Sequence, residues 1–396
     1  MRVCGRLCDT EEVVTLTLAG GRIAEILPGE LHPDLGGPDL WLSPGFLDLQ
    51  VNGYRGFDFA AAASVGRVVT PEEYRGILKC AAAAGTPLLC PTLTTSGHEA
   101  LLRAFESLGR ALDEDPWLAQ AVPGLHLEGP YISSEDGPRG AHPREHARDP
   151  DWDEFQRLQE ASGGRIRLCT LAPEREGALP FIERLAAAGV VPALGHTGAI
   201  PQVICDAVSA GARMSTHLGN GAHAMLPRHP NYLWEQLAAD GLVASVIADG
   251  DHLPAATLKT IVRAKTAERL VLVSDAISLG GMPPGLYDDG LHEVTPTGMV
   301  RMAGTPYLAG AGHLLDWDIA HALRLTDLSL AQAVSCATSV PARVLGLADH
   351  KGYIAPGFDA DLTLFRLFSE GPLQAAATLL AGEVVYRRPA TTPSPT

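Results

Sequence analysis

Apolar runs of six or seven residues recur along the middle of the chain, and each is separated from the next by a stretch with helical spacing. Eight such runs read as strands: 45–51, 87–92, 122–128, 166–172, 190–196, 213–218, 242–248 and 269–275. Most are nearly continuous in apolar residues, as a strand buried on both faces requires. Between them lie helical patterns at 71–85, 100–114, 177–189 and 254–264. The first has Thr70 as N-cap, Pro71 at the first helical position and Glu73 placed for a capping box. Eight strands alternating with helices predict an α/β fold, a parallel (β/α)8 TIM-like barrel. An open doubly wound sheet is the alternative, but no Gly-rich dinucleotide fingerprint supports it.

The two ends have a different texture. Near the N-terminus VVTLTLAGGRIAEILPG alternates apolar runs with Gly-Gly and Pro-Gly turns, and GYIAPGFDADLTLF with GEVVYRR does the same near the C-terminus. A small β-sandwich module built from both termini is expected, over 1–43 and 350–388, flanking a barrel over 44–349. The tail at 389–396 reads as disordered.

Composition narrows the class. The chain has 396 residues, is 46% hydrophobic and carries 42 Gly and 30 Pro, enough for a large core with many turns. A net charge of −16 argues against a nucleic-acid partner, although a local basic pocket can still hold an anionic ligand. Seven Cys without a CxxC pair read as free thiols of a reducing cytoplasm. No apolar stretch reaches membrane-spanning length and no signal core opens the chain, so neither a membrane partner nor export is expected.

Five polar motifs mark the strand ends: HLEGP at 126–130, GHTGA at 195–199, STHLGN at 215–220, DGDH at 249–252 and SDA at 274–276. On a barrel they point to one rim, where barrel enzymes carry their active sites. Each motif alone has a plainer reading, since a lone buried His is usually hydrogen-bonded and an Asp after a strand often caps a helix. Five on one rim favour chemistry. Glu128, His196 and His217 offer one oxygen and two nitrogen ligands, a set suited to one divalent ion: Zn2+, with Fe2+ or another ion as alternatives. Such an ion activates water and polarises a carbonyl. Asp275 is then placed to take the water's proton and give it to a leaving amine, and His252 to meet the carbonyl oxygen.

SPGFLDLQVNG, HLEGPYIS, RGAHP, LAPE, GHTGA, STHLGNGAHAM, DGDH, SDA and the LAG at 308–310 stand in the order seen in a known family. Over nearly its whole length the chain resembles the N-acetylglucosamine-6-phosphate deacetylases of the amidohydrolase superfamily. The resemblance implies a metal-dependent barrel that deacetylates N-acetylglucosamine 6-phosphate to glucosamine 6-phosphate and acetate. It implies Glu128, His196 and His217 as metal ligands, Asp275 as catalytic acid/base and His252 as the residue that polarises the amide. A homodimer, or an assembly of dimers, is also implied.

The chain departs from the family pattern in three places. Many amidohydrolases end the first strand in His-x-His and bind a second metal there; this chain has Gln50-Val51-Asn52. Neutral amides are poor ligands for a zinc-like ion, so a single metal is expected, with Gln50 and Asn52 hydrogen-bonding at the rim. In STHLGNGAHAM, Gly219 replaces an aromatic and extra residues separate Asn220 from Ala224-Met225. Asn220 and Gly221 remain placed for sugar or phosphate, and Arg228 is the candidate phosphate ligand, because a guanidinium matches that oxyanion. Ala141 and His142 of RGAHP are further candidates, His142 for the phosphate. The LAG loop continues with Ala311 rather than Ser, while Ala309 and Gly310 still offer backbone groups. His223, His229 and His313 share the region and receive no role. Two rivals stand beside the leading reading: the same chemistry on an unphosphorylated N-acetyl amino sugar or an N-acyl amino acid, and a silent binding barrel, since fold does not establish activity.

Overall fold

The computed structural model describes residues 1–64, 69–305 and 307–389. The tail expected to be disordered lies outside the described residues, apart from Pro389. Eight parallel strands form the centre: β1 Leu47–Val51, β2 Leu88–Thr94, β3 Leu125–Glu128, β4 Ile166–Leu171, β5 Val191–Leu194, β6 Met214–Ser215, β7 Val243–Val246 and β8 Leu270–Leu272. They pair in chain order. The ring closes between its last and first members: Asp275 N donates to Gln50 O at 2.9 Å and Asn52 N to Ala276 O at 2.8 Å. This is the TIM-like barrel the apolar runs predict, and it excludes the open doubly wound sheet.

Helices cover the barrel through apolar stripes. His98–Glu114 buries Leu101, Ala104, Phe105, Leu108, Ala111 and Leu112, a spacing of three and four that keeps one face inward. Pro71–Ala83 begins as expected, with Thr70 N donating to the Glu73 carboxylate at 2.9 Å. Inside the barrel a polar chain runs beneath the rim. His126 Nε2 lies 2.8 Å from Thr170 Oγ1, which is 2.7 Å from Thr216 Oγ1. Burial pushes the His126 pKa down to about 4, so this ring is a neutral packing element that is hydrogen-bonded throughout.

The termini weave one seven-stranded sheet. Its order is Glu383–Arg387, Gln374–Leu380, Leu362–Arg366, Leu35–Pro44, Arg2–Leu7, Val13–Ala19, Arg22–Pro28. Leu35–Pro44 joins the halves, parallel to Arg2–Leu7 and antiparallel to Leu362–Arg366. Leu16, Ile23 and Leu42 share a core with Leu362, Leu364 and Leu379, which makes the module a small sandwich with its own interior. It is tied to the barrel by Thr363 Oγ1 and Thr378 Oγ1, which donate to Gly85 O and Ala82 O on the Pro71–Ala83 helix end.

One element was not anticipated. After β8 an antiparallel four-stranded sheet, Gly285–Tyr287, His292–Val294, Val300–Met302 and Leu308–Gly310, rises over the rim. Among the described residues no helix is long and apolar enough to cross a membrane.

Candidate active site

The five motif residues meet at the C-terminal rim. Glu128 is the last residue of β3, while His196, His217 and Asp275 follow β5, β6 and β8. Those last three have positive φ, at 51°, 29° and 50°. A left-handed residue at a strand end turns the chain sharply, a conformation that costs energy for any residue with a Cβ and clusters at functional sites. The chain thus turns sharply at His196, His217 and Asp275, which brings their side chains together over the rim.

Three donor atoms converge. Glu128 Oε1 lies 2.9 Å from His217 Nε2 and 3.2 Å from His196 Nε2, and the two nitrogens are 3.1 Å apart. All three side chains are buried. His196 Nδ1 lies 2.9 Å from Pro138 O, an acceptor, so the proton of a neutral ring sits there and Nε2 turns a lone pair toward the cluster. That lone pair faces a carboxylate oxygen, an arrangement that a shared cation relieves. The donor set and its spacing therefore fit a divalent metal. Burial alone pushes the Glu128 carboxyl up, but the neighbouring imidazoles of His196 and His217 hold it well below its ordinary value. Burial opposes charge on His217 as well, yet the Glu128 hydrogen bond and charge keep its pKa raised.

Asp275 sits beside this trio. Its Oδ1 accepts from Gln50 Nε2 at 3.0 Å and from Asn52 Nδ2 at 2.8 Å. Gln50 Nε2 also donates to Glu128 Oε1 at 3.0 Å, so one amide bridges the two carboxylates. Burial, and then the charge of Glu128, pushes Asp275 up to about 6. Where a His-x-His would ligate, this chain has two amides whose NH2 groups donate to Asp275 and, from Gln50, to Glu128.

His252 reaches the cleft from the turn after β7. Its Nδ1 lies 2.7 Å from Asp249 Oδ2, and Asp249 Oδ1 takes the backbone N–H of Asp251 and His252, each at 2.9 Å. Burial works against the Asp249 charge, but these hydrogen bonds lower its pKa on balance. Asp249 thus fixes the His252 ring, a contact whose signal in the sequence is the Asp-x-x-His spacing of a tight turn.

A cleft of about 520 Å3 opens above these groups. Of the expected substrate contacts, Ala141, His142, Asn220, Gly221, Ala309 and Gly310 line it, as does Asn52. His142 is buried, bonded through Nδ1 to Thr95 Oγ1 at 2.8 Å, and its ring meets that of His196 edge-on at 4.2 Å. Gln50 lies just below the lining. Arg228 is not brought in: it is exposed and outside the lining of the cleft. His229 is also exposed, whereas His313 stacks on Trp317 at 4.2 Å. Tyr307, just ahead of the strand Leu308–Gly310, joins the cleft unforeseen, because strands of three residues leave no periodic trace.

An eight-stranded barrel with a two-His, one-Glu rim cluster and an adjacent Asp defines a class, and the amidohydrolase family model matches residues 41–387. The chain belongs to the amidohydrolase family. Within it the chain falls among the N-acetylglucosamine-6-phosphate deacetylases. It is 36% identical over 359 residues to the human one, covering 87% of this chain and 83% of that protein. The one from Bacillus subtilis is 31% identical over 334 residues, covering 82% and 81%. An N-acetylgalactosamine-6-phosphate deacetylase of a Shewanella species is also 31% identical, over 350 residues, covering 87% and 83%. The crystal structure of the Mycobacterium smegmatis N-acetyl-D-glucosamine-6-phosphate deacetylase superposes with a TM-score of 0.86 at 32% identity, covering 98% of this chain and 100% of that one. A mutant of that enzyme was solved in complex with N-acetyl-D-glucosamine-6-phosphate.

Proposed function

We propose that this chain deacetylates N-acetylglucosamine 6-phosphate, releasing glucosamine 6-phosphate and acetate with the help of one divalent metal. The observation that carries the reading is the junction of Glu128, His196 and His217 with Asp275 through Gln50. Glu128, His196 and His217 would hold the ion, and when bound it supplies Lewis acidity that lowers the pKa of water and polarises the amide carbonyl. Zinc suits one carboxylate and two imidazoles, with Fe2+ as the alternative.

The protein's own groups do the rest. Gln50 and Asn52 occupy Asp275 Oδ1, which leaves Oδ2 to take the proton of the attacking water and pass it to the departing amine. The Asp249 carboxylate holds the His252 ring through Nδ1, which leaves Nε2 to meet the amide oxygen as charge grows there. The cleft lining contains no Lys or Arg among the described residues. His142, Asn220 and the backbone of Gly221 are then the phosphate's partners, with Ala141, Ala309 and Gly310 along the sugar. A homodimer would let the exposed Arg228 serve a partner's cleft. The barrel, 44–349, carries the reaction and the module, 1–43 with 350–388, supports it. Free thiols at all seven cysteines suit a cytoplasmic setting.

The test is kcat/KM on N-acetylglucosamine 6-phosphate, its galactosamine epimer, unphosphorylated N-acetylglucosamine and an N-acyl amino acid. The first should be the best substrate. Equal or better turnover without phosphate rejects the phosphate assignment, and preference for the epimer moves the chain toward its Shewanella relative.

A further inference from the structure

His223 belongs to the residues inserted between Asn220 and Ala224-Met225, outside the family's usual segment, and it does not line the cleft. Its bonds are nevertheless fully arranged. The hydroxyl of buried Tyr232 accepts the His223 backbone N–H at 2.8 Å and lies 3.1 Å from its Nδ1. With Nδ1 accepting from the hydroxyl, the ring proton stands on Nε2. Nε2 meets Glu135 Oε2 at 3.0 Å. Tyr232 opens the helix Tyr232–Ala238, capped by Asn231, so the ring spans from a fixed helix end to the loop that carries Glu135.

The loops that meet here are the walls of the cleft. Residues 133–143 carry Ala141 and His142, and 219–231 carry Asn220 and Gly221. Glycines let them touch. A Cβ on Gly137 would stand 3.0 Å from His223 Cα, one on Gly198 would stand 3.0 Å from His223 Cε1, and one on Gly221 would stand 2.8 Å from His196 Nδ1. Pro138, whose carbonyl orients His196, lies three residues from Glu135 on the same loop.

We infer that His223 is a positioning residue, a latch that joins Glu135 to Tyr232 and sets the spacing of the two walls that grip the substrate. It touches neither the metal-fitting trio nor Asp275, so its effect falls on binding rather than on the bond-breaking step. The kinetic part of this inference rests on the proposed function; the structural part does not.

The experiment compares the metal-loaded, full-length protein with its His223→Ala, Glu135→Ala, double and His223→Gln variants. One arm measures KM and kcat for N-acetylglucosamine 6-phosphate. The other follows trypsin cleavage after Arg139 without substrate, a site held in the wild type by bonds from its guanidinium to His142 O and Asp136. Each alanine variant should raise KM about three- to tenfold, the scale of one or two hydrogen bonds, with kcat within about twofold. Cleavage should quicken in both, the double variant should be no worse than either single one, and His223→Gln should restore much of the loss. Unchanged KM or unchanged cleavage overturns the latch, as does a fall in kcat with KM intact. If the wild type fails to turn over the phosphorylated sugar, the proposed function falls, and the cleavage arm alone decides whether His223 latches the walls.

Discussion

The floor of the cleft and its walls are secured by different means. Glu128, His196, His217 and Asp275 stand at or just beyond barrel strands, and the first three are at most 6% exposed. Glu128, His196 and Asp275 have their orientation fixed by a neighbouring backbone or amide group, and His217 is held by the Glu128 carboxylate. The walls come from loops at 133–143 and 219–231 and from short strands such as Leu308–Gly310, where exposed groups such as Glu135, Arg228 and Tyr307 are common. Rigid elements give the precision that bond-breaking needs, and loops give the latitude through which substrate choice is adjusted.

That contrast can be broken most forcefully at the floor. Glu128→Ala should empty the metal site and lower activity by more than about a hundredfold, beyond the loss typical of an outer partner of a ligand. Metal analysis of the pure variant together with turnover checks it, and a fully loaded, active variant would remove Glu128 from the site. Asp275→Asn should keep its metal yet lose about 10²–10⁴-fold in kcat, the range of a general acid or base. Full activity in that variant would leave the floor without its proton carrier.

Below the floor, the contrast sharpens through pH. Asp48 on β1 receives the Ser274 backbone N–H, and burial pushes its pKa up to about 7. An unfolded Asp ionises near 3.8. Between those values the unfolded chain releases a proton that the fold retains, so this group's stabilisation is complete below the lower value and is lost as pH rises through the upper one. Denaturant midpoints should show this decline from about pH 4 to pH 7, and Asp48→Asn should flatten it by a few kcal/mol. The smallest effect belongs to the wall: Arg228→Ala should move stability by no more than about 0.5 kcal/mol, as for an exposed side chain without structural bonds. A rise in KM with unchanged stability would place this guanidinium in a partner's cleft, and a large drop in stability would show a buried role that the fold does not indicate.

The same division governs what could be read in the sequence. Strand runs ending in polar residues located Glu128, His196, His217 and Asp275, because barrel strands are mostly apolar until they reach the rim. The predicted strand bounds run long at 213–218: the regular strand is Met214–Ser215, because the left-handed turn at His217 interrupts it, although Thr216 N and Leu218 N still donate to Leu194 O and Ser245 O. Thr70 and Glu73 announced their helix because capping is a local interaction. The four-stranded sheet over the rim was invisible, as its strands of three residues are too short for a period. Arg228 was chosen for its chemistry, and where a loop charge ends up depends on contacts that composition does not encode. His223 is the converse case: its partners, Glu135 and Tyr232, are joined to it only by the fold, so the sequence alone shows no role for it.

The sheet formed by the two ends also sets a schedule for synthesis. Arg2–Leu7, Val13–Ala19, Arg22–Pro28 and Leu35–Pro44 can pair as soon as they leave the ribosome, but Leu35–Pro44 must then wait for Leu362–Arg366, about 300 residues later. At about 5–20 residues per second, its edge stays bare for roughly 15–60 s in the nascent chain. Bare edges invite pairing with other chains, and Pro38, Asp39 and Pro44 stand on this one, residue types that discourage such pairing. The strand that finally joins the two halves thus carries its own protection through the interval in which it has no partner.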